Sequence, residues 1–226
     1  MESLFEEKFD VAVLGGGPGG YVAAIRVSQL GGKVVLIECD KLGGTCVNRG
    51  CIPTKALLES VKVYNSLKNA GSFGINVDGF SIDVKAVMER AERISSGMAE
   101  KISVLMEKKG VKVIHGLGRI KDFGVIDVVG KGRVKAEKLI LAPGSLPMKP
   151  PIPGVDGKGV ITSDEALRLE DPPRRLAVIG GGVVGLEFSS IFAGMGVDVT
   201  VIEMMPHVLP GEDEEMSDYL CQLMRE

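Results

Sequence analysis

The residues of this chain best suited to moving electrons are Cys46 and Cys51, in the run Gly43-Gly-Thr-Cys-Val-Asn-Arg-Gly-Cys-Ile-Pro-Thr-Lys55. Four residues separate the two thiols. On an ideal helix they would stand roughly 8–9 Å apart, beyond the ~7 Å between Cα atoms that a disulfide can bridge. Pairing therefore requires an irregular turn, which Gly50 permits, and Pro53 suits the first turn of a helix that follows. A helix N-terminus and Lys55 would both favour the reactive thiolate form. The chemistry this allows is thiol–disulfide exchange by a redox-active pair. A structural disulfide and two unrelated buried thiols stay open as alternatives. A metal site is less well supported, because no second Cys or His cluster supplies further ligands.

Such a pair needs an electron acceptor, and the chain carries two turns of the type that hold dinucleotides. Asp10-Val-Ala-Val-Leu-Gly-Gly-Gly-Pro-Gly-Gly20 aligns with Leu176-Ala-Val-Ile-Gly-Gly-Gly-Val-Val-Gly185 at an offset of 165 residues. The offset continues without a gap, placing Gly31 on Gly196, Val34 on Val199, Ile37 on Ile202 and Glu38 on Glu203. Each copy reads as strand, glycine turn, helix and second strand closed by an acid. Gly15 and Gly180 allow the tight turn, Gly17 (followed by Pro18) and Gly182 let the backbone approach a pyrophosphate, and Gly20 and Gly185 let helix and strand pack closely. The helix N-termini turn their N–H groups toward the phosphates. Glu38 and Glu203 are placed to accept hydrogen bonds from ribose hydroxyls. One G-x-G-x-x-G is weak, but two, each in strand–helix context with a distal acid, favour two dinucleotide sites.

Between the copies, Pro53–Asn69 and Asp83–Lys109 are expected to be helical. The second has Val84, Val87, Met88, Ala91, Ile94, Met98, Ile102 and Leu105 near helical spacing. Residues 111–129 suggest short strands with glycine turns, and Lys138–Ala142 a buried strand. The proline-dense Leu146-Pro-Met-Lys-Pro-Pro-Ile-Pro-Gly154 suits neither helix nor central strand. The expected division is therefore a domain over residues 1–149 and a second starting at residue 150. With 226 residues, a net charge of −3, no Trp and no basic run, the chain is ill suited to nucleic acid. It contains no run of the ~20 apolar residues a membrane span needs. Met1–Lys8 lacks the basic start of a secretory signal. Together with the scarcity of cysteines, this leads to an expected cytoplasmic location.

The stretch Gly43–Leu58 resembles the redox-centre signature of the class I pyridine nucleotide–disulfide oxidoreductases, in the form seen in their dihydrolipoamide dehydrogenase branch. The likeness extends through Gly116-Leu-Gly118, Leu141-Ala-Pro-Gly-Ser145 and the second glycine turn. It implies an α/β fold: an FAD-binding Rossmann-like domain of three-layer β-β-α type, then an incomplete second Rossmann-like NAD domain. It also implies FAD on Gly15, Gly17, Pro18, Gly20 and Glu38, with Gly44, Thr45, Gly118, Gly144 and Ser145 as further contacts. Lys55 would stand near the flavin with Glu187 as its partner, and Gly180, Gly182, Gly185 and Glu203 would hold the nicotinamide cofactor. Without the resemblance, Lys55 and Glu187 would read as solvated helix charges. Glu203 would repel a 2′-phosphate, and Met204-Met-Pro-His-Val-Leu209 offers no Arg or Lys to receive one, which favours NAD over NADP. By the same resemblance, Cys46 exchanges with a dithiol substrate, dihydrolipoamide or a lipoyl domain, and Cys51 is the flavin-side thiolate of a Cys46–Cys51 disulfide.

The same resemblance marks departures. The chain stops at Glu226 after two strands of the second copy, ahead of the segments that would bring the FAD domain's return, the homodimer interface and the catalytic base. His115 and His207 match neither that base nor its context, Cys39 and Cys221 are given no role, and Pro143 stands where Thr is usual. A half-finished sheet is expected to behave as a fragment, aggregating or needing a partner chain. A mercuric or other disulfide reductase, and a non-catalytic FAD/NAD-binding module, remain the alternative readings.

Overall fold

A computed structural model describes residues 8–225, so most of the acidic Met1–Lys8 stretch lies outside the described residues. The chain forms two compact units. One comprises the residues up to Ile52 together with Glu92–Leu146, the other Pro53–Ala91 together with the residues from Pro147 onward.

The first unit begins β1 (Lys8–Leu14), α1 (Pro18–Gln29), β2 (Val34–Glu38) and α2 (Gly44–Arg49). Cys51 and Ile52 open α3 (Cys51–Lys68), and the unit resumes within α4 (Val84–Lys108). It then adds β3 (Lys112–His115), β4 (Gly118–Asp122), β5 (Val125–Val128) and β6 (Gly132–Leu141). The strand order is β3-β2-β1-β6-β5-β4. The first four are parallel, with Val11 opposite Val34 and Leu14 opposite Leu141, while β5 and β4 run antiparallel. All five residues of β2 are buried, as expected of a parallel strand covered on both faces. On one face Val13, Val34 and Leu36 meet Ala24 of α1 and Ala99, Ile102 and Met106 of α4. On the other, Ala12, Val35 and Ile37 meet Ile126, Val128, Val134 and Ala136. Helices, parallel strands and an antiparallel flap thus make three layers.

Several boundaries differ from the sequence expectation. The strand expected as Lys138–Ala142 and buried is β6, which starts six residues earlier, at Gly132, and ends at Leu141. Its buried residues are Val134 and Ala136, while Lys138 and Leu141 are exposed. Charged residues alternate with the inward ones there, which hides a strand covered on one face only. Helix α3 starts at Cys51 rather than Pro53, so the proline still falls in the first turn, where its missing N–H costs no helical bond. In α4 the buried positions are Met88, Ala91, Ser95, Ala99, Ile102 and Met106. Ile94, Met98 and Leu105, expected on the apolar face, remain exposed.

In the second unit, α5 (Ser163–Ala166) precedes β7 (Arg175–Ile179), α6 (Val183–Gly194), β8 (Asp198–Ile202) and α7 (Glu214–Arg225). Strands β7 and β8 pair in parallel with Leu176 opposite Val199. Phe188, Ile191 and Phe192 of α6 pack with Ala56, Leu57 and Val61 of α3 and with Met88 and Ala91 of α4.

Candidate functional site

The first glycine turn leaves β1 at Gly15, whose φ of 105° belongs to the region glycine alone enters freely. A Cβ there would lie 1.9 Å from the Ala142 carbonyl oxygen, so the segment following β6 runs directly against the turn. This brings Gly144 (φ 75°) and Ser145, both exposed, within two or three residues of that contact. Gly17 caps α1 in an extended conformation and has no side chain to cap the helix N-terminus. Gly20 lies so close to the strand that a Cβ would stand 1.8 Å from the Gly15 carbonyl oxygen. Pro18 is the first helical residue. Gly118 opens β4, and a Cβ on it would come within 2.5 Å of Leu14 Cδ1 and 3.1 Å of Ile37 Cγ2, so packing alone requires its small size.

Glu38 closes β2 and is buried. Its carboxylate accepts from the Gly16 N–H at 2.6 Å and from the Asp40 N–H at 2.7 Å. The acid is therefore a brace for the turn as well as a group able to accept from a hydroxyl. The loop that follows is drawn onto the same turn, since the Gly43 N–H donates to the Gly16 carbonyl at 2.9 Å. Gly43 and Gly44 are both left-handed, with φ of 101° and 58°. A Cβ on Gly44 would stand 2.5 Å from Gly17 Cα. These contacts form a narrow cradle of glycine backbone at a helix N-terminus, which fits a pyrophosphate.

Both cysteines belong to this unit. Cys46 lies in α2, half-buried, and Cys51 is the exposed first residue of α3. The thiols are not joined by a disulfide in this structure. Gly50 interrupts the two helices at φ −145°, ψ −114°. It folds the chain so tightly that a Cβ would lie 3.1 Å from the Thr45 carbonyl oxygen and 3.5 Å from Cys46 Cα. The irregular turn that an ideal helix would deny is thus present at Gly50. Thr45, the second residue of α2, is exposed.

The second unit repeats the first turn closely. Gly180 has φ 107°, and Gly182 caps α6 at φ −75°, ψ 178°, against −72°, −176° for Gly17. A Cβ on Gly185 would lie 2.1 Å from the Gly180 carbonyl oxygen. Glu203 accepts from the Gly181 N–H at 2.6 Å and the Met205 N–H at 2.8 Å. These backbone donors, Met205 first and Gly181 next, hold its carboxyl below the usual carboxylate range. Nothing lies within 4 Å of a Cβ built on Gly182, so its approach is open. Also in this unit, the Lys55 ammonium pairs with Oε1 of Glu187. His115 ends β3, and His207 sits in the turn after β8 with its Nδ1 2.9 Å from Asp218 Oδ1.

The sequence profile of the pyridine nucleotide-disulphide oxidoreductases matches residues 9–226. The chain belongs to that family. Among curated relatives of this chain, the dihydrolipoyl dehydrogenase of Bacillus subtilis (strain 168) is 41% identical over 231 residues, covering 96% of this chain and 48% of the relative. That of Acholeplasma laidlawii is 40% identical, covering 93% of this chain and 64% of the relative. The HOCl-induced flavoprotein disulfide reductase RclA from Escherichia coli superposes with a TM-score of 0.83 at 29% identity, covering 96% of this chain and 47% of that one. The chain spans about half to two-thirds of the length of these relatives. Its Rossmann-like, parallel-dominated fold is the one these flavoprotein structures share.

Sequence reasoning did not single out the residues that fasten the dithiol segment to the turn. These are Gly43, Asn48, whose side-chain amide faces three backbone carbonyls, and Arg49, which pairs with Asp40 at 3.0 Å. Glycine pairs and a charge beside an acid were visible, but only the fold shows which carbonyls they meet. Among the described residues no group of three or more His, Cys, Asp or Glu could hold a metal ion. No helix among them is long and apolar enough to cross a membrane.

Proposed function

We propose that this oxidoreductase chain supplies the FAD- and dithiol-bearing part of a dihydrolipoamide:NAD oxidoreductase. Residues 1–149 serve the flavin and residues 150–226 begin the NAD domain. The observation that carries the reading is the joining of Cys46, Gly50 and Cys51 to the Gly43–Gly44 loop, which is itself hydrogen-bonded to the first glycine turn. The names of the relatives near 40% identity support the lipoamide branch over other disulfide reductases.

FAD would rest on Gly15, Gly17, Pro18, Gly20, Glu38, Gly44 and Thr45, with Gly118, Gly144 and Ser145 beside it. NAD would rest on Gly180, Gly182, Gly185 and Glu203. When bound, these groups supply two-electron acceptance and hydride transfer. The chain's own residues handle sulfur. A substrate thiolate attacks Cys46 Sγ of the oxidised pair, the Cys46–Cys51 bond breaks, and Cys51 leaves with the electron pair as thiolate. The substrate's second thiol then attacks the substrate sulfur held on Cys46. This releases the cyclic disulfide and leaves two electrons on the Cys46/Cys51 dithiol. Lys55, fixed by Glu187, keeps a positive charge four residues along α3 from Cys51. Glu203, held ionised by two backbone N–H groups, suits ribose hydroxyls and disfavours a 2′-phosphate, hence NAD.

The test is a visible spectrum of the full chain with bound FAD before and after one equivalent of dihydrolipoamide. Flavin bands followed by a new long-wavelength band, absent in Cys51→Ser, are expected. A band retained in Cys51→Ser overturns the sulfur assignment, and failure of dihydrolipoamide to reduce the pair overturns the substrate.

A further inference from the structure

Asn48 lies between the two cysteines in the sequence, where a side chain could simply face solvent. Its amide nitrogen instead stands 3.0 Å from the Gly44 carbonyl, 3.1 Å from that of Leu42 and 3.3 Å from that of Lys41. The amide has two hydrogens, so it makes two good bonds and shares one of them with the third oxygen. The Gly44 contact lies within α2, while the Leu42 and Lys41 contacts reach back into the preceding loop. That loop carries Gly43, bonded to Gly16 of the first turn. The stretch from β2 to Gly44 has two left-handed glycines and little regular hydrogen bonding of its own. One long main-chain bond, from the Val47 N–H to the Gly43 carbonyl at 3.4 Å, ties α2 to it, and side chains supply the rest. A second tie runs in parallel, from Gly16 through Glu38 and Asp40 to Arg49.

Resting on the redox reading of Cys46 and Cys51, we propose that Asn48 is a positioning residue for the dithiol. It clamps α2 to the loop and so holds Cys46 where the Gly50 fold can present it to Cys51. Without the clamp α2 gains freedom, the two sulfurs meet less often, and the disulfide is less favoured relative to the dithiol. The donor chemistry matters more than size, because all three partners are acceptors. An Asp of the same shape would turn a carboxylate toward three carbonyls.

The experiment equilibrates the full chain in glutathione buffers and scores oxidation by thiol alkylation and peptide mapping. The reaction is Cys46–SH plus Cys51–SH plus glutathione disulfide, giving the Cys46–Cys51 disulfide and two glutathione thiols. Asn48→Ala is expected to lower the equilibrium constant for ring closure about tenfold, a shift of ~30 mV toward a more oxidising couple. Asn48→Asp should lower it further at neutral pH and recover toward wild type as the carboxyl is protonated and becomes a donor. A role confined to stability would shift the urea midpoint of the variants and leave the ring-closure constant unchanged. Should both variants match wild type across pH, the positioning role is overturned and the redox reading stands. Should wild type itself form no Cys46–Cys51 disulfide, the redox reading falls, and this role with it.

Discussion

Replacing Glu38 by Gln removes one charge and one acceptor from a buried carboxylate that accepts two backbone N–H groups at 2.6 and 2.7 Å. The Gln oxygen can keep one of these bonds. The amide nitrogen then faces the other N–H, which loses its partner inside the fold. A hydrogen bond to a charged acceptor contributes about 1.5–3 kcal/mol, and a buried donor left unpaired costs a similar amount. The two descriptions overlap, so the expected loss is about 2–3 kcal/mol in the first unit. For a chain of this size that corresponds to a fall in Tm of roughly 5–10 °C. The assay is urea and thermal unfolding of the full chain by circular dichroism, without added nucleotide, so that no ribose contact enters. Glu203→Gln makes the same change at a more exposed site and should cost less. A Glu38→Gln loss under about 0.5 kcal/mol, the range of ordinary surface changes, would refute the bracing role.

Two further outcomes follow from contacts within the second unit. Gly194→Ala places a Cβ 2.2 Å from Val61 Cγ1, and should destabilise by about 1–3 kcal/mol. Adding Val61→Ala should recover part of that loss, and strictly additive effects in urea unfolding would disprove the clash. The hydrogen bond that His207 Nδ1 donates to the Asp218 carboxylate raises the pKa of the imidazole above its ordinary value, with the charge of that carboxylate adding to it. A raised folded value means the tether of the turn to α7 is complete below about pH 6.5 and lost as pH rises through the higher folded value. Asp218→Asn should flatten the dependence of Tm on pH in that window, and an unchanged slope would exclude the pair as its source.

Much of this was legible because backbone geometry at a glycine turn leaves a mark in residue type. Gly15, Gly20, Gly180 and Gly185 each occupy a space where a Cβ would fall within 2.1 Å of a carbonyl oxygen or at positive φ, so only glycine serves. The acid 23 residues on was equally visible. Other features were not. The alternation that makes β6 a one-sided strand is carried by Lys, Arg and Glu at its outer positions, and the apolar run at its end drew attention to the wrong half. Nor does composition reveal that Pro53–Ala91 packs with the C-terminal residues, since α3 and α4 each change surroundings partway along an unbroken helix. The clamp at Asn48 was hidden because its partners are main-chain carbonyls, which every residue owns.

The repeat also changes what the distal acid signifies. Glu38 and Glu203 bind the amides of Gly16 and Gly181 at the same 2.6 Å, and each then binds the amide two residues beyond itself. An acid at that position thus braces the turn through two main-chain N–H groups, before any ribose arrives. Its presence in a sequence reports a braced glycine turn first and a nucleotide second. What separates the two turns is the rim around the middle glycine. A Cβ on Gly17 would meet Gly44 Cα at 3.6 Å, whereas a Cβ on Gly182 would meet nothing within 4 Å. In the first turn the Gly43–Gly44 loop, which leads into α2 and Cys46, lies against the middle glycine and is hydrogen-bonded to Gly16. The second turn is bonded to a loop of its own, the Leu209 N–H donating to the Gly181 carbonyl at 2.9 Å, but that loop leaves the space beside Gly182 open. One backbone plan thus carries a middle glycine closed in by a neighbouring glycine loop in the first unit and left open in the second.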